Sequence, residues 1–594
     1  MKSPETVYEK NIVLYETELE ALKNKIGLFA VIRFLSFVGA VYSIYSGFSK
    51  SSDLTVIGSI ACTILFVISV RITFRLQDQK RLKEKLIFVN TNELSVLKGE
   101  GSKFSDGAAF HDAKSYTADL DIFGHGSLYG LLNRTTTVHG SDTLADVLKN
   151  KIGNPENITA TQQAVAALAP QHQVRQLITA NGLLNEEKEG NLHDVNDWLT
   201  QPNLLAGKLW LTIARFIIPA YNIWAFYYFL DTNNTGFLLI GLAVAAAITG
   251  IYAKHIFAQH KLLTKKQAIL DQYASILRSF GSSDSGNSAM LKNLKEDAEE
   301  AGQGIHQLAK LSGLFDQRLN LVVLIILNGM LLYDIQCMIS LENWKTKYKS
   351  KFGKWIKAVG KIELVNSLAT FAFNNPGYTY PLADTQPGFS GVDMAHPLIA
   401  GINAVPNTIA VGRDEKLIVL TGSNMSGKTT FLRTIGVNLV LAQCGAPVHA
   451  KEFRFQPMKI LTSIRVGDSL QENTSYFMAE LKKLKLIIDE LKTGAPALVL
   501  IDEILRGTNS DDKTYGSEQY IRQLIMFNSV TLFATHDLSL GALADEMPAA
   551  LKNYCFESTI TGGELLFDYK LRTGIAANKN ASFLMQKMGI IKTD

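Results

Sequence analysis

Residues 415–435 read EKLIVLTGSNMSGKTTFLRTI, and this stretch is the strongest indication of the fold of the C-terminal part of the chain. The apolar run Leu417 to Leu420 predicts a short buried strand, and the residues after the glycine-rich turn have the apolar periodicity of a helix. The turn fits the P-loop pattern of two glycines, then lysine and a hydroxyl residue: Gly422, Gly427, Lys428 and Thr429. The alternative is a chance glycine turn before a helix. Strand before and helix after are the context that the motif requires, so we favour the P-loop.

The chemistry of the turn explains its spacing. Backbone N–H groups of a tight loop and the positive end of the following helix bind phosphate oxygens, and glycine lets the backbone approach the ligand closely. Lys428 would reach the β- and γ-phosphates, and the Thr429 hydroxyl would bind Mg²⁺. We therefore predict that ATP and Mg²⁺ bind at Gly422, Ser423, Asn424, Met425, Ser426, Gly427, Lys428, Thr429 and Thr430.

Two further strand ends carry candidate catalytic groups. Residues 497–503, ALVLIDE, predict a buried strand that ends in Asp502 and Glu503. Asp502 would hold Mg²⁺, and Glu503 would position or deprotonate the attacking water. Residues 529–536, SVTLFATH, predict another strand ending at His536, which would donate a hydrogen bond to the γ-phosphate; a capping or core histidine is the alternative.

A helix predicted within residues 473–491 begins with hydroxyl residues. Thr474 or Ser475 is suited to the N-cap position. The alternative is that this helix N-terminus is presented to a second subunit and binds a γ-phosphate across the interface.

Length and composition limit the class of protein. The 594 residues suggest roughly three to five domains. A hydrophobic content of 47% with 14 prolines argues against a disordered chain, and a net charge of +4 neither demands nor excludes nucleic acid. The four cysteines are scattered, which fits a reducing cytosol and argues against a zinc site or a disulfide framework. No cleavable signal peptide is evident.

Two pairs of apolar runs predict two membrane hairpins. The first pair is Phe34 to Ser49 and Leu54 to Val70, and the second pair lies within residues 209–253. Each run is near the lower length limit of a membrane helix, so buried core helices are the alternative reading. Lysines and arginines follow each pair, whereas the turns within the pairs carry only Lys50. By the positive-inside rule, both termini and the bulk of the chain would lie in the cytosol.

Two other stretches have competing interpretations. The apolar run Leu321 to Tyr333 is only about 13 residues long, and we predict a buried soluble helix there. Residues 342–361 interleave aromatic residues with lysines. This pattern fits a phosphate-binding or membrane-surface patch, but we favour an amphipathic helix with packed rings and solvated lysines.

The predicted fold is an α/β P-loop ATPase domain joined to a mostly helical region that carries transmembrane hairpins. The predicted order is an N-terminal cytosolic helix (1–26), hairpin 1 (27–75), a helical core domain (76–208), hairpin 2 (209–255), a helical lever region (256–384) and the ATPase domain (385–594).

In this order, the motifs resemble those of the MutS family of DNA mismatch-repair ATPases, an ABC-type class. TGSNMSGKTTFLR resembles the family's Walker A motif, DEILRGTNSDD (502–512) its Walker B motif, SYFMAEL (475–481) its signature helix and FATHDL (533–538) its histidine loop. RTGIAANKNASFLMQKMGI (572–590) is similar to its C-terminal segment. AHPLI (395–399) and AVPN (404–407) resemble the start of its ATPase domain, which places Asn407 near the adenine site.

The resemblance is weaker upstream. Residues 117–145 resemble the start of the family's core domain, and residues 357–381 resemble its lever segment. The resemblance implies a homodimer in which Ser475 of one subunit faces the ATP of the other, and it implies DNA as the substrate. No mismatch-recognition domain precedes the core, and no Phe-x-Glu reading motif occurs in the first hundred residues.

We therefore weigh three functions. The first is a membrane-anchored, dimeric, DNA-binding ATPase related to mismatch repair. The second is a nucleotide-switched membrane scaffold that acts on a protein partner. The third is an ABC-type transporter, against which stand the absence of an LSGGQ-type signature and the nearly apolar lining of the hairpins.

Overall fold

The N-terminal part of the chain forms a pair of very long helices. The computed structural model of the protein describes residues 3–49, 53–149, 153–187, 191–399, 403–412, 415–465, 476–505, 509–561, 564–577 and 590. Helices α1 (Pro4–Ser49) and α2 (Asp53–Leu97) contain 46 and 45 residues and pack against each other. Because α1 is continuous, the domain boundary predicted at residue 26 is not the end of a helix.

A helical body follows this pair. Its helices are α3 (Tyr116–Asp119), α4 (Leu128–Leu132), α5 (Val138–Leu148), α6 (Pro155–Leu168), α7 (His172–Gly182), α8 (Asn191–Thr200), α9 (Leu209–Thr232), α10 (Gly236–Leu263), α11 (Gln267–Gly281), α12 (Ala289–Asp316), α13 (Leu321–Leu331) and α14 (Tyr333–Asn374). Short 3₁₀ turns occur at Ala108–Phe110 and Gln317–Leu319. Side-chain caps fix several helix starts; for example, the hydroxyls of Ser127 and Thr137 accept backbone N–H groups of α4 and α5.

Four helices in the described ranges are long and apolar enough to cross a membrane, judged by length and composition: α1, α2, α9 and α10. Their outward apolar side chains are uncovered, and Phe34, Ile57, Ile217 and Ile251 are each more than half exposed. The four predicted apolar helices are therefore confirmed as helices, whereas a bilayer around them stays a prediction.

The prediction for residues 321–333 is wrong in one respect. Residues 321–331 form α13, but α13 is not buried in a soluble core, because the side chains of Ile325 and Ile326 are 64% and 56% exposed. The helix packs against α9 and α10 and makes an angle of 112° with the preceding helix. The helical body does not cover the outer face of α13. The length of the apolar run, on which the prediction rested, could not reveal this exposure.

Helix α14 contains the stretch of alternating aromatics and lysines. The rings of Trp344, Phe352 and Trp355 are buried, and Trp344 Nε1 donates a hydrogen bond to the carbonyl of Gly304 on α12 at 2.8 Å. Lysines between the rings are exposed, except for the buried Lys345, whose ammonium donates to two backbone carbonyls. The favoured reading, an amphipathic helix with packed rings, is confirmed.

A buried polar cluster joins the first helix pair to the far end of α14. Tyr8 donates a hydrogen bond to Asn374 at 2.7 Å, and Asn374 donates to the carboxylate of Glu93 at 2.7 Å. Glu93 also forms an ion pair with Arg134, and both side chains are almost completely buried. Partners from α1, α2 and α14 therefore meet in one desolvated contact, which fixes their relative positions.

The C-terminal part is an α/β domain, as predicted. A four-stranded sheet has the order β1-β5-β2-β3 and a six-stranded sheet the order β10-β9-β4-β8-β7-β6. The strands are β1 (Leu382–Ala383), β2 (Phe389–Met394), β3 (Asn407–Val411), β4 (Leu417–Gly422), β5 (Glu452–Phe455), β6 (Lys459–Ser463), β7 (Ala497–Asp502), β8 (Ser529–Thr535), β9 (Leu551–Thr561) and β10 (Glu564–Thr573). The helices are α15 (Lys428–Gln443), α16 (Tyr476–Leu491), α17 (Ser510–Ile525) and α18 (Leu543–Glu546).

Five strands of the larger sheet run parallel, and only β10 is antiparallel. Strands β4, β7 and β8 are buried at every position, which explains their uninterrupted apolar runs. Because they are adjacent and parallel, their carboxyl ends lie at one edge of the sheet.

Candidate nucleotide site

The glycine turn between β4 and α15 has the geometry of a phosphate-binding loop. Gly427 has a φ of 103° and precedes the first residue of α15, and Met425 has a φ of 67°. A Cβ atom at Gly422 would lie 2.7 Å from Ser426 Oγ and 2.9 Å from the carbonyl oxygen of Phe556, so the loop is too tight there for a side chain. The turn therefore needs both of its glycines.

Lys428 points back into this turn. Its side chain is 5% exposed, and its ammonium donates hydrogen bonds to the carbonyl oxygens of Gly422 at 2.7 Å and Ser423 at 3.0 Å. The carboxylate of Glu503 lies 3.9 Å from the same nitrogen. A positive charge is thus held beside the loop's backbone N–H groups.

The two predicted magnesium ligands are in contact. Thr429 Oγ1 donates a hydrogen bond to Asp502 Oδ2 at 2.5 Å, and this bond links the first turn of α15 to the end of β7. A hydroxyl and a carboxylate are the oxygen donors that Mg²⁺ prefers, and phosphate oxygens and water would complete its coordination. The donor set therefore fits Mg²⁺.

Glu503 and His536 also come together, at the ends of neighbouring strands. His536 Nδ1 lies 3.3 Å from Glu503 Oε1, and its Nε2 lies 3.3 Å from Lys513 Nζ. Glu503 has a φ of 49°, a left-handed conformation that is strained for glutamate, and its N–H donates to the carbonyl of Ala534 at 2.9 Å. The imidazole of His536 therefore lies beside the carboxylate of Glu503 and can hold its orientation.

A cavity of about 580 Å³ opens at this edge of the sheet. Residues 423–430, Asp502, Glu503 and Asn407 line it, so most predicted site residues are brought together; Gly422 and His536 lie just outside the lining. Asn407 uses its amide for structure, because it donates to the carbonyl of Tyr569 at 3.0 Å and accepts from the N–H of Leu571 at 2.8 Å.

Several lining residues are not among the predicted site residues: His396 lies within the stretch AHPLI but is not singled out, and no motif marks Phe556 or Tyr569. Tyr569 lies on β10, and its ring is 43% exposed and lies beside Gly427. Burial, together with the nearby charge of Arg433, lowers the pKa of His396 to about 4, so its imidazole is neutral at pH 7. Tyr569 lies in an irregularity of the pairing between β10 and β9, between Phe567 and Leu571, and no local motif marks it.

Two predicted parts of the site lie outside the described residues. Ser475, the proposed partner of a second subunit's nucleotide, is one of them, and α16 is described from Tyr476 onward. The other is most of the predicted C-terminal segment, residues 578–589.

The helical body contacts the nucleotide domain through two aspartates of the segment around α3. Asp119 is buried and accepts hydrogen bonds from Thr462 Oγ1 at 2.6 Å, from the N–H groups of Ile464 and Arg465 at 3.2 and 3.0 Å, and from Lys483 Nζ at 2.7 Å. Asp121, which is more exposed, forms ion pairs with Arg433 and Arg465. The contact therefore reaches β6, α15 and α16 together.

Comparison with known proteins identifies the relationship of this domain. Residues 418–590 match the family model for MutS domain V, and this range contains the glycine turn, Asp502, Glu503 and His536. The chain is 32% identical over 195 residues to mouse "MutS protein homolog 4", which covers 31% of this chain and 20% of that protein.

Two prokaryotic relatives give the same result. The chain is 32% identical over 226 residues to "DNA mismatch repair protein MutS" of Natronomonas pharaonis, covering 37% of this chain and 26% of that protein. It is 30% identical over 251 residues to the protein of the same name from Persephonella marina, covering 41% and 28%. The chain therefore matches 20–28% of the length of these relatives.

Proposed function

We propose that this chain, which is a member of the MutS family through its C-terminal domain, is a membrane-anchored ATPase that acts as a dimer on DNA. The observation that carries the ATPase proposal is the cavity at the sheet edge, where a tight glycine turn, a buried lysine and the contact between Thr429 and Asp502 adjoin.

Each group at the cavity has a role in ATP hydrolysis. The N–H groups of the turn and the N-terminus of α15 bind the phosphates, and Lys428 offsets negative charge on the β- and γ-phosphates. Glu503 orients or deprotonates the attacking water, and His536, which touches Glu503, donates to the γ-phosphate. Thr429 and Asp502 would hold Mg²⁺, which would supply positive charge to offset the charge of the phosphate oxygens.

Tyr569 supplies the aromatic surface for adenine. The sequence has Ala404 where an aromatic is frequent in the family, and the exposed side chain of Tyr569 lines the same cavity as Ala404. Aromatic stacking is not specific for one base, so this contact would orient the base and contribute affinity.

The membrane proposal rests on the helices α1, α2, α9 and α10. We define hairpin 1 as α1 with α2 and hairpin 2 as α9 with α10. Exposed apolar faces of this extent are unfavourable in water and favourable among acyl chains. The excess of lysine and arginine on the side of the helical body supports a cytosolic position for that body and both termini.

Dimerisation and DNA binding are proposed from the family relationship. The two prokaryotic relatives, both named as DNA mismatch repair proteins, are similar to this chain over its C-terminal domain. In a dimer, Ser475 of each subunit would complete the site of the other. We propose structured or branched DNA near a membrane as the substrate.

The test is ATP turnover of the full-length protein in lipid nanodiscs, with homoduplex, mismatched, branched and single-stranded DNA at two salt concentrations. We expect turnover that DNA stimulates and that salt weakens. Lys428→Ala should lower turnover by at least about 10²-fold, and Glu503→Gln should abolish turnover while ATP stays bound. Asp489→Asn, which changes an exposed carboxylate on α16, is the control.

The outcomes separate the parts of the proposal. Unchanged turnover in both site variants would refute the site. Turnover that no DNA affects would refute the DNA proposal and favour the scaffold that acts on a protein partner. ATP-dependent uptake of solute into vesicles would favour the transporter instead.

A further inference from the structure

Helix α13 has the composition of a membrane segment but only half the length of one. Its sequence, LVVLIILNGML, contains no charged residue, and Ile325 and Ile326 are 64% and 56% exposed. Eleven residues rise about 16 Å, roughly half of the ~30 Å hydrocarbon thickness of a bilayer. The helix packs on α9 and α10, so its exposed face continues the apolar surface of hairpin 2.

A buried ion pair joins the residues on either side of α13. Arg318 precedes α13 and Asp334 follows it, and their side chains lie 3.2 Å apart with only 4% and 1% exposure. The guanidinium of Arg318 also lies 4.4 Å from the ring centre of Phe257 on α10. The chain therefore leaves the helical body and returns to it at one place, since α12 and α14 on either side pack against each other.

The C-terminal end of α13 receives hydrogen bonds from the middle of a hairpin helix. Asn222 lies near the centre of α9 and is fully buried, and its Nδ2 donates to the carbonyl of Gly329 at 2.8 Å and that of Met330 at 3.4 Å. A Cβ atom at Gly241 on α10 would lie 1.9 Å from Asn222 Oδ1, so the amide fits only because that position is glycine.

This contact is what a helix end inside lipid requires. The last carbonyl groups of a helix have no partner within the helix, and water is not available to them in hydrocarbon. A side-chain amide from a neighbouring membrane helix satisfies them.

We propose that α13 is a re-entrant membrane helix, which enters the bilayer beside hairpin 2 from the cytosolic side and leaves it on the same side, with Ile325 and Ile326 on lipid acyl chains. The inference rests on the proposed membrane anchoring and adds a fifth embedded helix to it. Since α14 begins two residues after α13 ends, the long helix that leads to the nucleotide domain then starts where the chain returns from the membrane, beside the ion pair of Arg318 with Asp334.

The test measures contact between α13 and lipid. Ile325→Cys is labelled with bimane in a Cys62→Ser background, because Cys62 is the one native cysteine that is not buried. The full-length protein is reconstituted in nanodiscs with and without phosphatidylcholine brominated on its acyl chains. Ile217→Cys on α9 is the matched membrane control, with the same residue type and a similar exposure of 61%. Met526→Cys on the nucleotide domain, 80% exposed, is the aqueous control.

We expect the brominated lipid to quench bimane at residue 325 to within a factor of about two of the quenching at residue 217, with no quenching at residue 526. Quenching at 217 but not at 325 would overturn the re-entrant helix and leave the anchor intact, whether water or a second copy covers α13. Loss of quenching at both positions would overturn the membrane proposal itself.

Discussion

The contact of Asp119 with the nucleotide domain allows a quantitative test of how the helical body and that domain are joined. Asp119→Ala removes the acceptor of four hydrogen bonds, one of them from the ammonium of Lys483, which is 17% exposed. Removing one partner of a buried ion pair costs about 3–5 kcal/mol, because the other charge remains desolvated. Asp121→Ala is the matched control, since its ion pairs are more exposed and are worth about 1 kcal/mol or less.

The assay is hydrogen exchange at the amides of β6, detected by mass spectrometry. These amides report the stability of the strand, whereas the N–H groups of Ile464 and Arg465 lose their own acceptor in the variant and would exchange faster in any case. A loss of 3 kcal/mol corresponds to exchange that is roughly 10²-fold faster. The Asp121 control should change exchange by less than about tenfold.

A double-mutant cycle completes the test. Adding Lys483→Met to Asp119→Ala removes the orphaned charge, so the double variant should recover part of the lost protection, with a coupling of about 1–3 kcal/mol. Strictly additive effects, or equal acceleration in the Asp119 and Asp121 variants, would refute the view that this contact is a desolvated, charge-paired junction.

Two further predictions concern other parts of the chain. Burial raises the pKa of Glu363 on α14 from 4.5 to about 7, against the opposing effect of hydrogen bonds from Thr136 and Thr137. The folded state therefore keeps a proton that the unfolded state releases, and stability should fall by about 3 kcal/mol as pH rises from 4.5 to 7. In Glu363→Gln the thermal midpoint should lose this part of its pH dependence; an identical pH profile would contradict the assignment. At the nucleotide site, Thr429→Ala should raise the Mg²⁺ concentration for half-maximal turnover at least about tenfold, whereas Thr429→Ser should retain it. An unchanged Mg²⁺ midpoint in Thr429→Ala would show that this hydroxyl is not a ligand.

The sequence predicts those parts of the site whose chemistry is local. A phosphate loop needs its glycines and lysine at fixed spacing, and Asp502 and Glu503 follow an uninterrupted buried strand, so both features can be read from short stretches. Tyr569 escaped prediction because only the sheet order brings β10 to the cavity. Asp119 escaped it because a single aspartate in a four-residue helix carries no pattern.

The error at α13 has a different origin. The length criterion for membrane helices treats each apolar run as if it stood alone, and by that criterion the run is too short. The surroundings of α13 depend on tertiary contacts, which are the hydrogen bond from the amide of Asn222 and the ion pair between Arg318 and Asp334. Neither contact can be recognised from the sequence of the apolar run itself.

The length of α14 has a mechanical consequence. Its 42 residues extend about 63 Å. The helix begins beside α13 and hairpin 2, and it ends at Asn374, whose side chain contacts Tyr8 and Glu93 of hairpin 1. One end of α14 is therefore fixed to hairpin 1, and the other end is fixed to the helices at hairpin 2. If both hairpins lie in one bilayer, as proposed, an ATP-driven displacement of α14 would change the spacing or tilt of the hairpins, and the surrounding lipid would resist that change.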